Sequence, residues 1–156
     1  MRMVKPAVSI AISAAAPDDE AAIAALLRGA ALPHEDFATH LAQFLVARRA
    51  GAVVGIIGFE RHGHNALLRS LVVAPALRGN GFGDRLVRRL TEMARRKGVK
   101  RFYLLTTTAE AFFAKRGFQR IARQAVPATI AATQEFKSLC PVSAVCMTRQ
   151  LGATNP

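Results

Sequence analysis

The stretch from Leu67 to Ala94 limits what this chain can fold into more than any other. Leu67 to Val73 is mostly apolar and reads as a buried strand. A bend at Val73-Ala74-Pro75 follows, then Arg78-Gly79-Asn80-Gly81-Phe82-Gly83, then a segment with the period of an amphipathic helix. A glycine-rich turn between strand and helix aims several backbone N–H groups in one direction. The first helical turn adds its own unpaired N–H groups and the positive end of the helix dipole. Together they form an anion site suited to phosphate. Glycines at 79, 81 and 83 let the main chain approach a ligand closely and tolerate positive φ.

Two common nucleotide-binding patterns fail here. The dinucleotide fingerprint needs glycine at its first, third and sixth positions. Counted from Gly79 the sixth position is Asp84, and from Gly81 it is Leu86. The triphosphate loop ends in Gly-Lys-Ser/Thr, a triplet this sequence lacks. The charge balance also bears on the partner. A formal net charge of +12 favours anionic partners: nucleic acid, an anionic membrane surface or a phosphate-bearing cofactor. Its densest run, Arg85 to Arg101, lies on the helix and the turn after it, where basic residues alternate with core residues. That pattern also suits a solvated helix face.

The remaining segments fit one domain spanning residues 1–156, with 51% hydrophobic residues to fill its core. Val8 to Ala14 reads as a first strand. Pro17-Asp18-Asp19-Glu20 opens a helix with an Asp cap and acidic residues in its first turn. Ile23, Leu26 and Leu27 follow at helical spacing, and Gly29 ends it. Phe37, Leu41 and Phe44 give a second short helical stripe. Leu45–Arg49 and Val53–Glu60 read as a hairpin around Ala50-Gly51-Ala52. Phe82 to Lys97 is a helix with Leu86, Val87, Leu90, Met93 and Ala94 on one face, closed by Gly98. Phe102–Thr106 is a strand parallel to Leu67–Val73. Ala109–Arg116 reads as a short helix, Phe118–Arg123 as a strand, Pro127 as the start of a further helix and Ser143–Leu151 as the closing strand, before a frayed tail from Gly152. No leader is evident in Met1 to Ser13, and no apolar run approaches a membrane span. The expectation is a cytoplasmic protein with no membrane partner. Cys140 and Cys146 are too few for a disulfide framework.

With these pieces in order, the chain resembles the GNAT superfamily of acetyl-CoA-dependent N-acetyltransferases. Leu71-Val72-Val73-Ala74-Pro75-Ala76-Leu77-Arg78-Gly79-Asn80-Gly81-Phe82-Gly83 is similar to the family's strand-and-loop motif. Ala109-Glu110-Ala111-Phe112-Phe113-Ala114-Lys115-Arg116-Gly117-Phe118 is similar to its second motif, a short helix ending in Gly-Phe. The resemblance implies an α/β (α+β) fold. Its mixed, mostly antiparallel sheet is flanked by helices and splayed between two central parallel strands, which part beyond Val73. It implies acetyl-CoA as cosubstrate and no metal. The pyrophosphate would meet Arg78, Gly79, Asn80, Gly81, Phe82, Gly83 and Asp84. The pantetheine arm would pair with Leu71 and Val73, with Thr106 and Phe113 also on the cofactor. The Val73 N–H would stabilise the oxyanion. A proton-donating Tyr is common where this chain has Phe113, and an Asn where it has Thr106, so the general acid is left open. Tyr103, on a strand, reads as structural.

Glu60 is the candidate base, ending the strand before the His62-Gly63-His64-Asn65 turn. His62 and His64 are further candidates, or plain turn residues. Arg69 is an arginine in a strand that otherwise reads apolar. That position is costly unless it faces a cleft or a partner, which suggests a bidentate grip on an acidic acceptor. Thr107 completes the substrate-side candidates. The segments Leu67–Val73, Leu104–Ala109 and Phe136–Met147 further resemble a GNAT subgroup associated with arsenic-resistance operons. That resemblance implies an arsenical or phosphinate amino acid as acceptor. The thiols of Cys140 and Cys146 read either as soft ligands or as ordinary cysteines of a closing strand. The partner is then a small-molecule amine, with a homodimer one arrangement the sequence allows. Two rivals stay open: acetylation of a protein or peptide amine, and a basic nucleic-acid-binding domain. The second is disfavoured by the absence of Trp and the single Tyr.

Overall fold

The computed structural model describes residues 9–152. Val8, the start of the expected first strand, and the tail at 153–156 lie outside these residues. The strands are β1 (Ala11–Ala14), β2 (Phe44–Arg49), β3 (Ala52–His62), β4 (Asn65–Val73), β5 (Arg101–Thr106), β6 (Gln119–Arg120) and β7 (Val145–Gln150). They form one sheet in the order β1-β2-β3-β4-β5-β7-β6, and only β4 and β5 pair in parallel. The helices are α1 (Glu20–Gly29), α2 (Phe82–Arg96), α3 (Glu110–Ala114) and α4 (Ala128–Ala131). This is the expected GNAT-type α/β architecture.

α2 is the crossover that makes the parallel pair possible. Leu86, Val87, Leu90 and Ala94 are buried along its inner face. Its end is a Schellman motif: Val99 N–H donates to Ala94 O at 2.9 Å and Gly98 N–H to Arg95 O at 3.0 Å, with Gly98 at φ 89. On this face Phe59, Leu68, Phe102, Leu104, Phe113 and Phe118 join the largest core cluster. The opposite face holds two smaller clusters. Ile23, Leu27, Phe37, Phe44, Ile56 and Val72 pack under α1, while Leu67, Tyr103, Val126, Ile130 and Cys146 pack under α4.

Four details depart from the sequence reading. The stripe at Phe37 and Leu41 is a 3-10 turn, Phe37–Gln43, and Phe44 already belongs to β2. Phe44's ring crosses β3 at Gly58, where an added Cβ would stand 2.4 Å from it. The strand expected over Phe118–Arg123 is only Gln119–Arg120, because Arg123–Ala125 turns into a 3-10 segment. Glu135–Leu139 forms a π-helical turn. Finally, the parallel strands part earlier than Val73. Their pairing is Asn65↔Arg101, Ala66↔Phe102 and Leu67↔Tyr103, and no pair follows.

The early parting has a local cause. Between the pairs Ile56↔Val72 and Gly58↔Arg69, β4 carries one residue more than β3. Ser70 sits in this bulge at φ 64, a left-handed conformation rare for a residue other than glycine. A bulge bends its strand and re-aims the residues beyond it. Backbone strain of this kind concentrates at functional sites.

Candidate active site

The open gap between β4 and β5 is bordered by Val73 and by the loop that follows it. Gly55 and Val73 stand directly opposite, and Ala74 N–H donates to Val54 O at 2.7 Å. By antiparallel alternation, Gly55 and Val73 are then a non-hydrogen-bonded pair. The Val73 N–H and C=O therefore face away from β3, into the gap. The Arg78 Nε–H donates to that carbonyl at 3.3 Å.

Beyond Val73, Gly79 and Gly81 take φ 85 and 78, and an added Cβ at either would meet nothing within 4 Å. Glycine is required here by backbone conformation, not by crowding. Asn80 Nδ2 donates to Leu77 O at 2.9 Å, fixing the loop. The first backbone bond back onto the loop is Arg85 N–H to Gly81 O at 3.1 Å. Among the described residues, the N–H groups from Gly79 to Asp84 have no backbone acceptor. They gather at the positive end of a 15-residue helix, an arrangement able to hold a diphosphate.

Several predicted contacts lie elsewhere. The Asp84 carboxylate is taken by Arg88 and Arg116, each at 3.0 Å. Only its backbone faces the loop. Phe82's side chain is buried in the core. Phe113 is also a core residue, edge-on to Phe112 at 5.2 Å and to Phe118 at 5.3 Å. The ring beside the loop is Phe112: its edge would lie 3.4 Å from a Cβ at Gly83, and the Arg116 guanidinium lies 3.6 Å over its face. Leu71 is half-buried against the main core. Thr106 Oγ1 accepts the Ala109 N–H at 2.9 Å, capping the turn into α3. Thr107 is exposed and lines an open groove of about 460 Å³ with Thr108, Glu110, Ala111, Ala114 and Val145.

The second half of the site lies on the sheet face opposite α2. Arg69, two residues after Leu67, and Glu60, next to Phe59, share that face by strand alternation. The Arg69 side chain is 0% exposed, yet each of its three guanidinium nitrogens has a hydrogen-bond partner. Its Nη1 donates to Asp36 Oδ2 at 2.7 Å and to Glu60 Oε2 at 2.9 Å, and its Nη2 donates to Asp36 Oδ1 at 2.6 Å. Its Nε donates to Ser70 Oγ at 3.0 Å and lies 3.5 Å from Glu135 Oε2. The bidentate fork expected for an acceptor is thus occupied by Asp36. Glu60 is buried, with Oε1 at 3.2 Å from His40 Nε2 and 3.7 Å from His62 Nε2. His64 instead bonds Gly98 O at 3.1 Å and takes no part.

Burial opposes the charge on Arg69, but the Asp36 hydrogen bonds and the Glu135, Asp36 and Glu60 charges hold its pKa above the usual value. Burial likewise opposes the Asp36 carboxylate, and Arg69 outweighs it, leaving that carboxyl below its usual range. Glu135 goes the other way: burial pushes it up to about 7 despite Arg69. The Cys140 thiol donates to Glu135 Oε1 at 3.3 Å, and burial pushes it up to about 12, so it stays a thiol at neutral pH. Cys146 is buried and also raised by burial. Asp36, His40 and Glu60 place ligand-type atoms within 4.8 Å of one another. Arg69 already supplies there the positive charge that a cation would bring.

Asp36, His40 and Glu135 are absent from the sequence reading, and Phe112 enters it only as part of the second motif, with no role. Arg69 was the one pointer to Asp36 and Glu135, since a buried arginine demands carboxylates. It does not say which, and Asp36 lies 33 residues away.

Comparison with known proteins places this geometry. The sequence profile of the Acetyltransferase (GNAT) domain matches residues 40–120, more than half of the chain. This chain belongs to the GNAT acetyltransferase family. The GNAT chain is similar to an amino-acid acetyltransferase of Ralstonia nicotianae, 35% identical over 80 residues, covering 50% of this chain and 18% of that protein. It spans about a fifth of the length of the curated relatives it matches. N-acetylglutamate synthase from Neisseria gonorrhoeae, complexed with coenzyme A and N-acetyl-glutamate, shares the fold with a TM-score of 0.81 at 24% identity, over 92% of this chain and 35% of that one. Rv2747 from Mycobacterium tuberculosis, in complex with CoA, aligns with a TM-score of 0.77 at 25% identity over 91% and 99% of the two chains.

Proposed function

We propose that this protein transfers an acetyl group from acetyl-CoA to the primary amine of a small acceptor that also carries a carboxylate, an amino acid or a close analogue. The observation that carries the reading is the outward-facing Val73 N–H. It stands in the gap between parted strands, next to a glycine loop whose free amides gather at a helix N-terminus. Relatives named as amino-acid acetyltransferases and solved neighbours holding CoA support the same cosubstrate and acceptor class.

In this reading the loop amides and α2 hold the diphosphate, and Leu71 and Val73 line the pantetheine arm. Glu60, buried beside His40, takes a proton from the acceptor ammonium. The neutral amine attacks the thioester carbon, and the Val73 N–H stabilises the oxyanion. The C–S bond then breaks as the new amide forms and the attacking nitrogen gives up its second proton to solvent. The leaving thiolate takes its proton from solvent, since Phe113 has none to give and Tyr103 is buried in the core. Arg69 anchors the acceptor carboxylate. The test is free-thiol release with acetyl-CoA against a panel of amines: acidic and neutral amino acids, their amides, arsenical and phosphinate amino acids, and short peptides. Turnover confined to carboxylate- or oxyanion-bearing small amines is the expected outcome. Turnover of peptides alone, or of amides as readily as acids, refutes the acceptor assignment.

A further inference from the structure

We infer that the Asp36 carboxylate is a built-in stand-in for the acceptor's carboxylate, and that acceptor binding displaces it from Arg69. This inference rests on the acceptor class proposed above. Three carboxylates surround the Arg69 guanidinium, and they are not equivalent. The side chains of Glu60 and Glu135 are 4% and 7% exposed, so neither has water to retreat into. Asp36 is 18% exposed and sits at the solvent side, on the segment leading into the Phe37–Gln43 turn.

Asp36 also takes an edge of the guanidinium whose geometry suits a ligand. Its two oxygens accept from Nη1 and Nη2 at 2.7 and 2.6 Å, the side-by-side pairing by which arginine recognises a free carboxylate. Glu60 holds the second Nη1 hydrogen and Ser70 the Nε hydrogen, and both can stay in place during an exchange. One carboxylate for another leaves the local charge unchanged. The buried arginine therefore never loses its counter-charge, the loss that makes breaking a buried pair costly. The released Asp36 is already partly in water.

The exchange also orients the acceptor. Glu60 shares Nη1 with Asp36. A carboxylate seated where Asp36 now sits is therefore adjacent to the Glu60 carboxylate. In an α-amino acid the amine is one carbon from the carboxylate, which brings it to the proposed base. Asp36 thereby selects against amines lacking a carboxylate, because only a competing carboxylate can replace it.

The test uses Asp36→Ala, with Asp36→Asn as the variant that keeps the side chain's shape. Sodium acetate, a carboxylate of the size removed, is titrated against sodium chloride at equal ionic strength while the melting temperature is read. The expected result is that acetate, but not chloride, restores most of the melting temperature lost by the variant, with little effect on the wild type. For an amino acid that the wild type acetylates, KM should fall at least threefold in the variant, while KM for its carboxamide does not fall. If acetate acts no better than chloride, or KM rises equally for acid and amide, Asp36 is a structural clamp and the inference is overturned. If the wild type acetylates no amine at all, the acceptor reading fails, and the acetate titration alone still decides the exchange.

Discussion

The residues that decide this site are three carboxylates and one arginine, each with a different task. In the proposed reaction Glu60 is the base, and replacing it by Gln keeps the hydrogen bond from Arg69 while removing the proton acceptor. Glu60→Gln should lower kcat by about 10²- to 10⁴-fold, with acetyl-CoA binding by calorimetry unchanged. Retention of kcat would transfer the role to another group. Glu135 makes a prediction about stability. Its folded-state pKa of about 7 lies above the ordinary 4.5. Between these values the native state keeps a proton that the unfolded chain has released, so stability falls as pH rises through that window. The loss is on the order of 3 kcal/mol. Glu135→Gln should flatten the fall in denaturation midpoint between these pH values and leave the variant the more stable of the two at pH 8. Asp36, held low by Arg69, works in the opposite sense, losing its contribution only as pH falls through the acid range.

At the level of elements, the strand-loop-helix unit of β4 and α2 joins two demands that conflict in an ordinary sheet. β4 must pair with β3 along its length and yet present its far edge to a ligand beyond Leu67. The bulge at Ser70 reconciles the two. The loop after it depends on left-handed backbone at Gly79 and Gly81. An L side chain there costs roughly 1–2 kcal/mol, felt mainly in the conformation that binds the diphosphate. Gly81→Ala should therefore raise KM for acetyl-CoA by about tenfold with a smaller change in kcat, measured by thiol release at saturating acceptor. The loop and its helix were legible in sequence because glycine spacing and helical period are local signals. The bulge was not. It arises from how two strands count against each other, and Ser70 carries no local mark of a positive φ. For the same reason Phe113, a motif position by spacing, proved to be core, while its neighbour Phe112 faces the loop.

At the level of the whole molecule, the densest basic run lies on α2, with Arg85, Arg88, Arg89, Arg95 and Arg96, and no aromatic residue stands among them. Acetyl-CoA at about 100 times its Kd should stabilise the fold by about 2.7 kcal/mol, a rise in Tm of roughly 5–10 °C for a chain of this length. A short DNA duplex at matched ionic strength should give no comparable shift, and equal shifts would revive the nucleic-acid reading. Fold class followed from sequence, as did the place of the glycine loop between β4 and α2. Of the proposed acceptor half, Glu60 and Arg69 were legible as an acid ending a strand and an arginine in an apolar strand, whereas Asp36 and Glu135 were not, because they meet Arg69 only after the sheet has closed.

The short ladder between β4 and β5 has a mechanical consequence. Four strands stand on one side of it and three on the other, joined within the sheet by the pairs Asn65↔Arg101, Ala66↔Phe102 and Leu67↔Tyr103. A ligand bridging the gap beyond would act as a rivet between two half-sheets. The empty protein should breathe along that seam, with amide exchange on the facing edges of β4 and β5 fast until the cosubstrate arrives and slow afterwards.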